Sequence, residues 1–161
     1  MIALGPLGRD EYDRVAHIAV LPGQEPFCGT IAGHFEANEP DCDFHVVIRD
    51  GRAVGFFKID RAYPRRYPFA RAGEIGLRGM MIDRREQGRG TGKAAMLALG
   101  PYLRTGYPQA PGCVLTVNAV NLPARAIYLA GGFRDEGGLH HGGRIGPQHI
   151  LRMDLTGTGV A

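Results

Sequence analysis

A glycine at every second position of residues 88–93 most constrains what this chain can fold into. The stretch follows a short apolar segment, Ile75 to Ile82, and leads into an alanine- and leucine-rich segment that opens at about Thr91. Glycines with this spacing let the backbone adopt positive φ and present several N–H groups on one concave side. The N-terminus of the following helix and the side chains of Arg89 and Lys93 add positive charge there. The sequence therefore predicts a strand, a phosphate-binding turn and a helix.

The spacing of these glycines excludes two common phosphate-binding motifs. A Walker P-loop requires a glycine, four residues and then Gly-Lys-Ser/Thr, but Gln87 stands five residues before Gly92, and Ala94 follows Lys93. A Rossmann fingerprint requires two residues between its second and third glycines and an acidic residue about twenty positions later, where Pro108 stands. Neither a P-loop nor a dinucleotide-binding turn is predicted.

Three blocks of sequence carry a resemblance to a known family. The hexapeptide at residues 87–92, Gln-Gly-Arg-Gly-Thr-Gly, matches the Arg/Gln-x-x-Gly-x-Gly/Ala signature of the GCN5-related N-acetyltransferases, the GNAT family. Ile82 stands five residues earlier, where that family usually has the last apolar residue of its fourth strand. Residues 118–133 resemble the family's Asn-x-x-Ala-x-x-x-Tyr-x-x-x-Gly-Phe segment. The chain thus resembles this family over roughly residues 75–133.

The resemblance implies a mixed α/β fold with a central, mostly antiparallel sheet that is splayed at its fourth and fifth strands and flanked by helices. A length of 161 residues suits one domain. We therefore expect a single GNAT domain over residues 1–155 and a flexible tail over residues 156–161.

Hydrophobic periodicity and turn residues predict the individual elements. Asp50-Gly51 predicts a hairpin between two strands. The predicted strands are 1–4, 44–48, 53–59, 75–82, 113–117 and 148–155. The predicted helices are 8–20, 27–35, 91–103 and 122–130, with Pro101 cutting across the last turn of the third. Residues 61–72 and 137–146 are predicted to be loops.

Composition argues against several classes of function. The formal net charge is +3 and there are no long runs of lysine or arginine, so no nucleic-acid partner is expected. No apolar run approaches the length of a membrane span and no signal core follows the N-terminus, so we expect a cytoplasmic protein without a membrane partner. Cys28, Cys42 and Cys113 are odd in number and form no Cys-x-x-Cys pair. We expect buried thiols, with no metal site.

The resemblance also implies acetyl-CoA as co-substrate. The glycine turn would bind its pyrophosphate, and the pantetheine arm would lie beside the fourth strand like an added strand, bonding to main-chain groups. The predicted cofactor-binding residues are Met80, Met81, Ile82, Gln87, Gly88, Arg89, Gly90, Thr91, Gly92, Lys93 and Asn121.

Tyr128 is the predicted general acid. It stands seven residues after Asn121, where the family places a tyrosine whose hydroxyl reaches the CoA sulfur. A phenol with a pKa of about 10 can protonate a developing thiolate and still be protonated at neutral pH. A tyrosine on an apolar helix face is otherwise a packing residue. Asn121 is predicted to cap the helix, a role that is compatible with bonding the pantetheine.

The general base is less well defined by the sequence. Ribosomal-protein acetyltransferases of this family have a glutamate where Thr116 stands, and the histone-acetylating branch has one where Gly76 stands. Glu74 lies two residues before Gly76, nominally on the same face of the strand, and is the predicted base, directly or through water. His140 and His141 are alternatives, and an amine that binds already deprotonated needs no base.

The expected acceptor is the primary amine of a small molecule, either polyamine-like or amino-acid-like. The segment from Met81 onward resembles bacterial polyamine acetyltransferases. A cationic acceptor would suit the acidic residues Glu36, Glu39, Asp41 and Asp43, whereas an anionic one would suit the arginines Arg61, Arg65, Arg66 and Arg71. A protein N-terminus or lysine is an alternative acceptor, and a non-catalytic acyl-CoA sensor is an alternative function. A homodimer is also left open.

Overall fold

The computed structural model describes residues 1–157, which form an α/β fold with a mixed β-sheet flanked by helices. The strands are β1 (Ile2–Leu7), β2 (Cys42–Arg49), β3 (Arg52–Asp60), β4 (Ile75–Ile82), β5 (Gly112–Asn118), β6 (Arg134–His140) and β7 (Gln148–Asp154). The helices are α1 (Tyr12–Val15), α2 (Glu25–Cys28), α3 (Ile31–Ala37), α4 (Tyr63–Arg66), α5 (Thr91–Gly106) and α6 (Leu122–Ala130). Short 3₁₀ helices cover Pro22–Gln24 and Arg84–Glu86.

The strand order across the sheet is β1-β2-β3-β4-β5-β7-β6. Neighbouring strands are antiparallel except β4 and β5, which are parallel. This parallel pair has only two registered partners, Ile75 with Cys113 and Gly76 with Val114. Beyond them the two strands separate, so the predicted mostly antiparallel sheet, splayed between its fourth and fifth strands, is confirmed.

Apolar side chains cover both faces of the sheet. On one face, α5 buries Met96, Leu99 and Leu103 completely against the central strands. On the other face, Val15 and Ile31 from the short helices pack in a second cluster with Phe56 of β3. A sheet with two covered faces holds its central strands rigidly, which fixes the edges that face the splay.

A bulge interrupts β4 at the point where it borders the splay. Phe56 pairs with Met81, but Lys58 pairs with Arg78, so β4 contains an extra residue between these pairs. Gly79 has a φ of 64°, a conformation that glycine adopts without penalty. The bulge turns part of the β4 backbone away from its ladder with β3.

Several predicted elements are confirmed. The bounds of β4 and α6 are those predicted, and the hairpin between β2 and β3 turns at Asp50 and Gly51, both with positive φ. The predicted helix over residues 8–20 is wrong apart from α1. Its C-terminal part is held in another conformation because the Ala19 N–H donates to the Asp83 carboxylate and its carbonyl accepts from the Arg84 N–H.

Other elements also differ from the predictions, and β1 and β2 are longer than expected. The helix expected over 27–35 is divided into α2 and α3 at Gly29, whose φ is 79°. α5 continues past Pro101 to Gly106. The segment 61–72 contains α4. β6 was not predicted, and it reaches His140, inside the predicted loop 137–146, because pairing with β7 resumes at Leu139 after a register shift that leaves residues 136–138 without registered partners. Residues 158–161 of the predicted tail lie outside the described residues, and the expected boundary at residue 155 remains a prediction.

Across residues 1–157, no helix combines the length and the apolar character needed to cross a membrane. In the same part of the chain, no cluster of three or more His, Cys, Asp or Glu side chains could hold a metal ion. Cys42 and Cys113 are buried, Cys28 is partly exposed, and all three thiols are free.

Candidate active site

The separation of β4 from β5 opens a cleft with a volume of about 680 Å³, within the range of small-molecule sites. β4 and β5 form its walls. The N-terminus of α5 lies at one end, and residues of α2, α3 and α4 border the other. The cleft can therefore bring a ligand held at α5 next to a second ligand held among the short helices.

The turn before α5 has the backbone geometry expected of an anion site. Gly88 and Gly90 have φ values of 77° and 78°, and a β-carbon on either would meet no atom within 4 Å. Gly92 instead lies inside α5, where a β-carbon would come within 3.2 Å of Ile127. The first turn of α5 contains Lys93 and no acidic residue. Free helix N–H groups, an open glycine turn and a lysine together favour a bound anion.

Gln87 and Arg89, two further residues of the predicted cofactor site, differ in their position relative to the cleft. Gln87 lines the cleft, and its amide donates to the Ile82 carbonyl at 3.0 Å and to the Gln24 side chain at 2.9 Å, which ties the turn to β4. Arg89 is exposed, pairs with Glu86 at 3.3 Å, and is not part of the cleft lining.

The walls of the cleft present both main-chain and amide groups. Met80 and Ile82 of β4 line it, whereas the Met81 side chain is buried in the apolar core. Asn121 occupies the N-cap position of α6 but makes no side-chain capping bond, so its amide remains available in the cleft. The Oδ1 atom of Asn118 is buried and has no hydrogen-bond donor among residues 1–157. A buried acceptor without a donor favours a ligand N–H at this point.

Tyr128 lines the cleft from α6, two turns after Asn121. Its ring makes an edge contact with Phe133 at a centroid distance of 5.9 Å. Within the described part of the chain, its hydroxyl has no hydrogen-bond partner. Burial, with smaller contributions from the nearby Cys28 and Cys113, raises the pKa of this phenol above its usual value. The hydroxyl therefore stays protonated at neutral pH.

Residues 11–133 match the family model described as the acetyltransferase (GNAT) family, which is more than half of the chain. The chain belongs to the GNAT acetyltransferase family. A curated relative from Bacillus subtilis (strain 168), named uncharacterized N-acetyltransferase YbbJ, is 32% identical over 115 residues, covering 68% of this chain and 69% of the relative.

Solved structures share the fold of this acetyltransferase at low sequence identity. The aminoglycoside acetyltransferase AAC(6')-Ib in complex with coenzyme A is 15% identical, with a TM-score of 0.76, and the alignment covers 97% of this chain and 96% of that one. A spermidine N-acetyltransferase SpeG chimera from Vibrio cholerae and hSSAT is 16% identical, with a TM-score of 0.71 and coverage of 96% of each chain. The ribosomal-protein-S18-alanine N-acetyltransferase from Escherichia coli is 16% identical, with a TM-score of 0.65 and coverage of 96% and 94%.

The acetyltransferase has no carboxylate at the strand position that the histone-acetylating branch uses. The ring of Tyr63 lies directly on Gly76, so that a β-carbon there would come within 1.9 Å of the Cδ1 atom of Tyr63. Glu74 is buried and accepts from the Arg152 guanidinium at 3.0 Å and from the Arg71 N–H at 2.6 Å. Glu74 is not part of the cleft lining. This geometry favours a structural role for Glu74.

The predicted alternatives His140 and His141 also lie outside the cleft lining. His140 packs against the rings of Tyr67 and Phe69 at centroid distances of 5.6 and 5.2 Å. His141 is exposed after the end of β6. Neither imidazole faces the space between β4 and β5.

An imidazole that sequence reasoning missed does line the cleft of this acetyltransferase. His34 of α3 packs on the β4 bulge at Gly79 and stacks on Phe56 at a centroid distance of 5.3 Å. Burial and the charges of Lys58 and Arg78 lower the pKa of His34 to about 4, against a hydrogen bond to the Cys28 carbonyl that raises it. His34 is therefore neutral at pH 7. No sequence motif marked it, because the bulge that it contacts depends on strand register.

The acidic and arginine-rich segments that the sequence offered as binding sites for the acceptor do not line the cleft. None of Glu36, Glu39, Asp41, Asp43, Arg61, Arg65, Arg66 and Arg71 lines the cleft. The lining cations are instead Lys58, Arg78 and Lys93, and no aspartate or glutamate of residues 1–157 is among the lining residues. Apart from Lys93 at α5, the charges in the cleft lining therefore come from the strand residues Lys58 and Arg78.

Proposed function

We propose that this acetyltransferase transfers acetyl from acetyl-CoA to the primary amine of a small molecule, by direct attack in a ternary complex. The observation that supports this most is one continuous cleft that joins the open glycine turn to Tyr128 and His34. Such a cleft can hold two ligands end to end, with an acid and a potential proton acceptor among its lining residues.

The residues of the cleft fit the parts of acetyl-CoA. The turn at Gly88 and Gly90, with the N-terminus of α5 and Lys93, would bind the pyrophosphate. Main-chain groups of Met80 and Ile82 border the splay and would bond to the pantetheine arm, as a strand bonds to a sheet edge. Asn121, and the unpaired buried Oδ1 of Asn118, would bind its amides.

When bound, acetyl-CoA supplies a thioester: the acceptor nitrogen forms the new C–N bond, the C–S bond breaks, and the thiol leaves with one proton. Tyr128 would donate that proton from its hydroxyl. Burial and the nearby charge of Glu25 raise the pKa of the Cys28 thiol to about 11, so Cys28 stays protonated at neutral pH. A protonated thiol is a poor nucleophile, which favours direct attack by the amine over an acyl-cysteine intermediate.

The acceptor must lose a proton before or during attack, and His34 and Glu74 are the candidate bases. His34 is favoured by position, because it lines the cleft, whereas Glu74 is held by Arg152 outside the lining. With a pKa lowered to about 4, His34 is a weak base, and it would take the proton only as the attacking nitrogen becomes acidic on forming the C–N bond. An acceptor that binds as a free amine remains the third route. Each route predicts a different response of the rate to pH.

A thiol-release assay with acetyl-CoA and a panel of amines tests the proposed function. Saturable thiol release with at least one small amine supports it. Acetyl-CoA binding in calorimetry without thiol release across the panel would favour an acyl-CoA sensor. Release with peptides only would favour a protein N-terminus or lysine as acceptor.

A further inference from the structure

Two cations face each other across adjacent strands at the acceptor end of the cleft. Lys58 of β3 and Arg78 of β4 are registered partners in the antiparallel pair, and both line the cleft. Like charges directly opposite each other across strands destabilise a sheet. Carboxylates close to this pair must therefore offset their repulsion.

The carboxylates of Glu39 and Asp60 reduce this repulsion, but they do not neutralise all the cations that they contact. Glu39 accepts from Lys58 Nζ at 2.5 Å and from Arg78 Nη1 at 3.1 Å. Asp60 accepts from the same Arg78 nitrogen at 3.2 Å and from Arg66 Nε at 2.7 Å. Three cations, Lys58, Arg66 and Arg78, thus share two carboxylates, which leaves a net charge of +1.

The uncompensated charge is accessible through Arg78. All the hydrogen bonds that the Arg78 guanidinium donates within residues 1–157 come from Nη1, to Glu39, Asp60 and the Cys42 sulfur. Its Nε and Nη2 atoms have no partner there. The Arg78 side chain is 26% exposed and lines the cleft, whereas that of Lys58 is 4% exposed, and that of Arg66, although 36% exposed, lies outside the cleft lining. Arg78 is therefore fixed along one edge and keeps its Nε and Nη2 donors for a ligand, the geometry that suits a planar carboxylate.

Among residues 1–157, neither the cleft nor the groove beside it has the excess of acidic side chains that would favour a polycation. No carboxylate of the described residues lines the cleft, and the groove beside it contains one acid and one base, Glu25 and Arg144. Arg78 also precedes Gly79, on which the His34 ring packs. A carboxylate bound at Arg78 would place an amine only a few atoms away beside His34.

We propose that the acceptor carries a carboxylate as well as the reacting amine, that it is of amino-acid size, and that Arg78 binds the carboxylate. This inference rests on the proposed function and names its acceptor class. It favours the amino-acid-like acceptor over the polyamine-like one. Lys58 adds positive charge to the site, but its ammonium group is bonded to Glu39 and almost fully buried, so it is not expected to contact the carboxylate directly.

Amino acids and their decarboxylated counterparts give a matched test, because each pair differs only in the carboxylate. Binding is measured by calorimetry in the presence of CoA, and thiol release is measured with acetyl-CoA, for pairs such as ornithine with putrescine and lysine with cadaverine. We expect the preferred amino acid of the panel to bind at least about tenfold more tightly than its amine, as a charge-assisted bidentate contact implies. Equal or tighter binding of the amines, or no binding of any amino acid at millimolar concentration, overturns the inference.

Two variants test whether Arg78 causes the preference for an amino acid over its decarboxylated amine. Arg78→Gln should abolish the difference between each amino acid and its amine while retaining CoA affinity, and the remaining Lys58, Arg66, Glu39 and Asp60 are then balanced in charge. Arg65→Gln is the control, because Arg65 is exposed on α4 outside the cleft lining. A preference that survives in Arg78→Gln would overturn the role of Arg78. Preferential binding without thiol release would keep Arg78 as a carboxylate-binding residue and would reject the proposed function, so the two failures are distinguishable.

Discussion

The Nε2 atom of His34 lies 2.7 Å from the carbonyl oxygen of Cys28. Because a carbonyl can only accept a hydrogen bond, the ring proton of neutral His34 is on Nε2 and the lone pair is on Nδ1. With a pKa lowered to about 4 by burial and by Lys58 and Arg78, the imidazole stays neutral at physiological pH. The contact thus fixes the tautomer of a ring that lines the cleft.

His34→Gln should lower turnover at neutral pH and recover part of it at high pH, where the acceptor amine is already free. The glutamine amide can still donate to the Cys28 carbonyl, but it cannot take a proton. General bases contribute about 10² to 10⁴ in rate. The measurement is kcat and kcat/KM for the best acceptor across a range of pH, in wild type and variant.

Glu74→Gln is the parallel variant, since Glu74 is the base that the sequence favours. If Glu74 is structural, the pH profile of the rate should keep its shape, and only stability should fall as the Arg152 ion pair is weakened. A pH profile that changes in Glu74→Gln and stays the same in His34→Gln would restore Glu74 as the base.

Gly90→Val should weaken acetyl-CoA binding by at least about tenfold, or about 1.4 kcal/mol. The new side chain would fill the open space beside the turn where the backbone must approach the phosphates. Gly51→Val is a matched control, because Gly51 has a φ of 80°, is equally open, and lies in the hairpin between β2 and β3. Both variants carry similar backbone strain, so calorimetry separates strain from a local effect. Unchanged affinity in Gly90→Val would place the phosphates elsewhere.

The part of the site that could be predicted from sequence is the part built from contiguous residues. β4, the glycine turn and α6 depend on apolar periodicity, glycine spacing and a helix-start proline, all of which are local signals. The turn could therefore be located to within a few residues, although Gly92 serves packing against Ile127 rather than a positive φ.

The acceptor end could not be predicted because it depends on tertiary register. Lys58 and Arg78 are twenty positions apart, and only the register between β3 and β4 brings them opposite each other. Likewise, the failure of the helix over residues 8–20 comes from a distant carboxylate, Asp83, which takes the Ala19 N–H. A side chain from another segment of the chain overrode the local helical pattern in that case.

Tyr128→Phe should reduce turnover by about 10² or more while leaving acetyl-CoA affinity nearly unchanged. The ring keeps its contact with Phe133, and only the proton donor is lost. Tyr12→Phe serves as control, because Tyr12 lies on α1, outside the cleft lining. Turnover of Tyr128→Phe within twofold of wild type would return Tyr128 to a packing role.

A second buried histidine, His45 of β2, lies in a closed hydrogen-bond network away from the cleft lining. The Tyr107 hydroxyl donates to Asp43 at 2.7 Å and accepts from His45 Nε2 at 2.9 Å. His45 Nδ1 then accepts from the Tyr102 hydroxyl at 2.6 Å. Protonating Nδ1 would require the Tyr102 hydroxyl to turn from donor to acceptor and would place a positive charge inside the protein. Burial lowers the pKa of His45 to about 4, and the charge of Asp43 offsets this only in part.

This network predicts a specific loss of stability in acid. Between the unfolded-state pKa of about 6.5 and the folded-state pKa of about 4, the unfolded chain binds more protons at His45 than the folded chain does. Stability is therefore complete above the upper value and falls as the pH drops through this window, by up to about 1.4 kcal/mol per pH unit for one proton. His45→Gln keeps an acceptor and a donor for the two tyrosines but cannot titrate. The free energy of unfolding is measured by urea denaturation at several pH values. Its slope against pH should become less steep in this variant, by an amount that corresponds to at most one proton. His34 should still contribute its own share. An unaltered slope in His45→Gln would show that His45 carries the same proton in the folded and unfolded states.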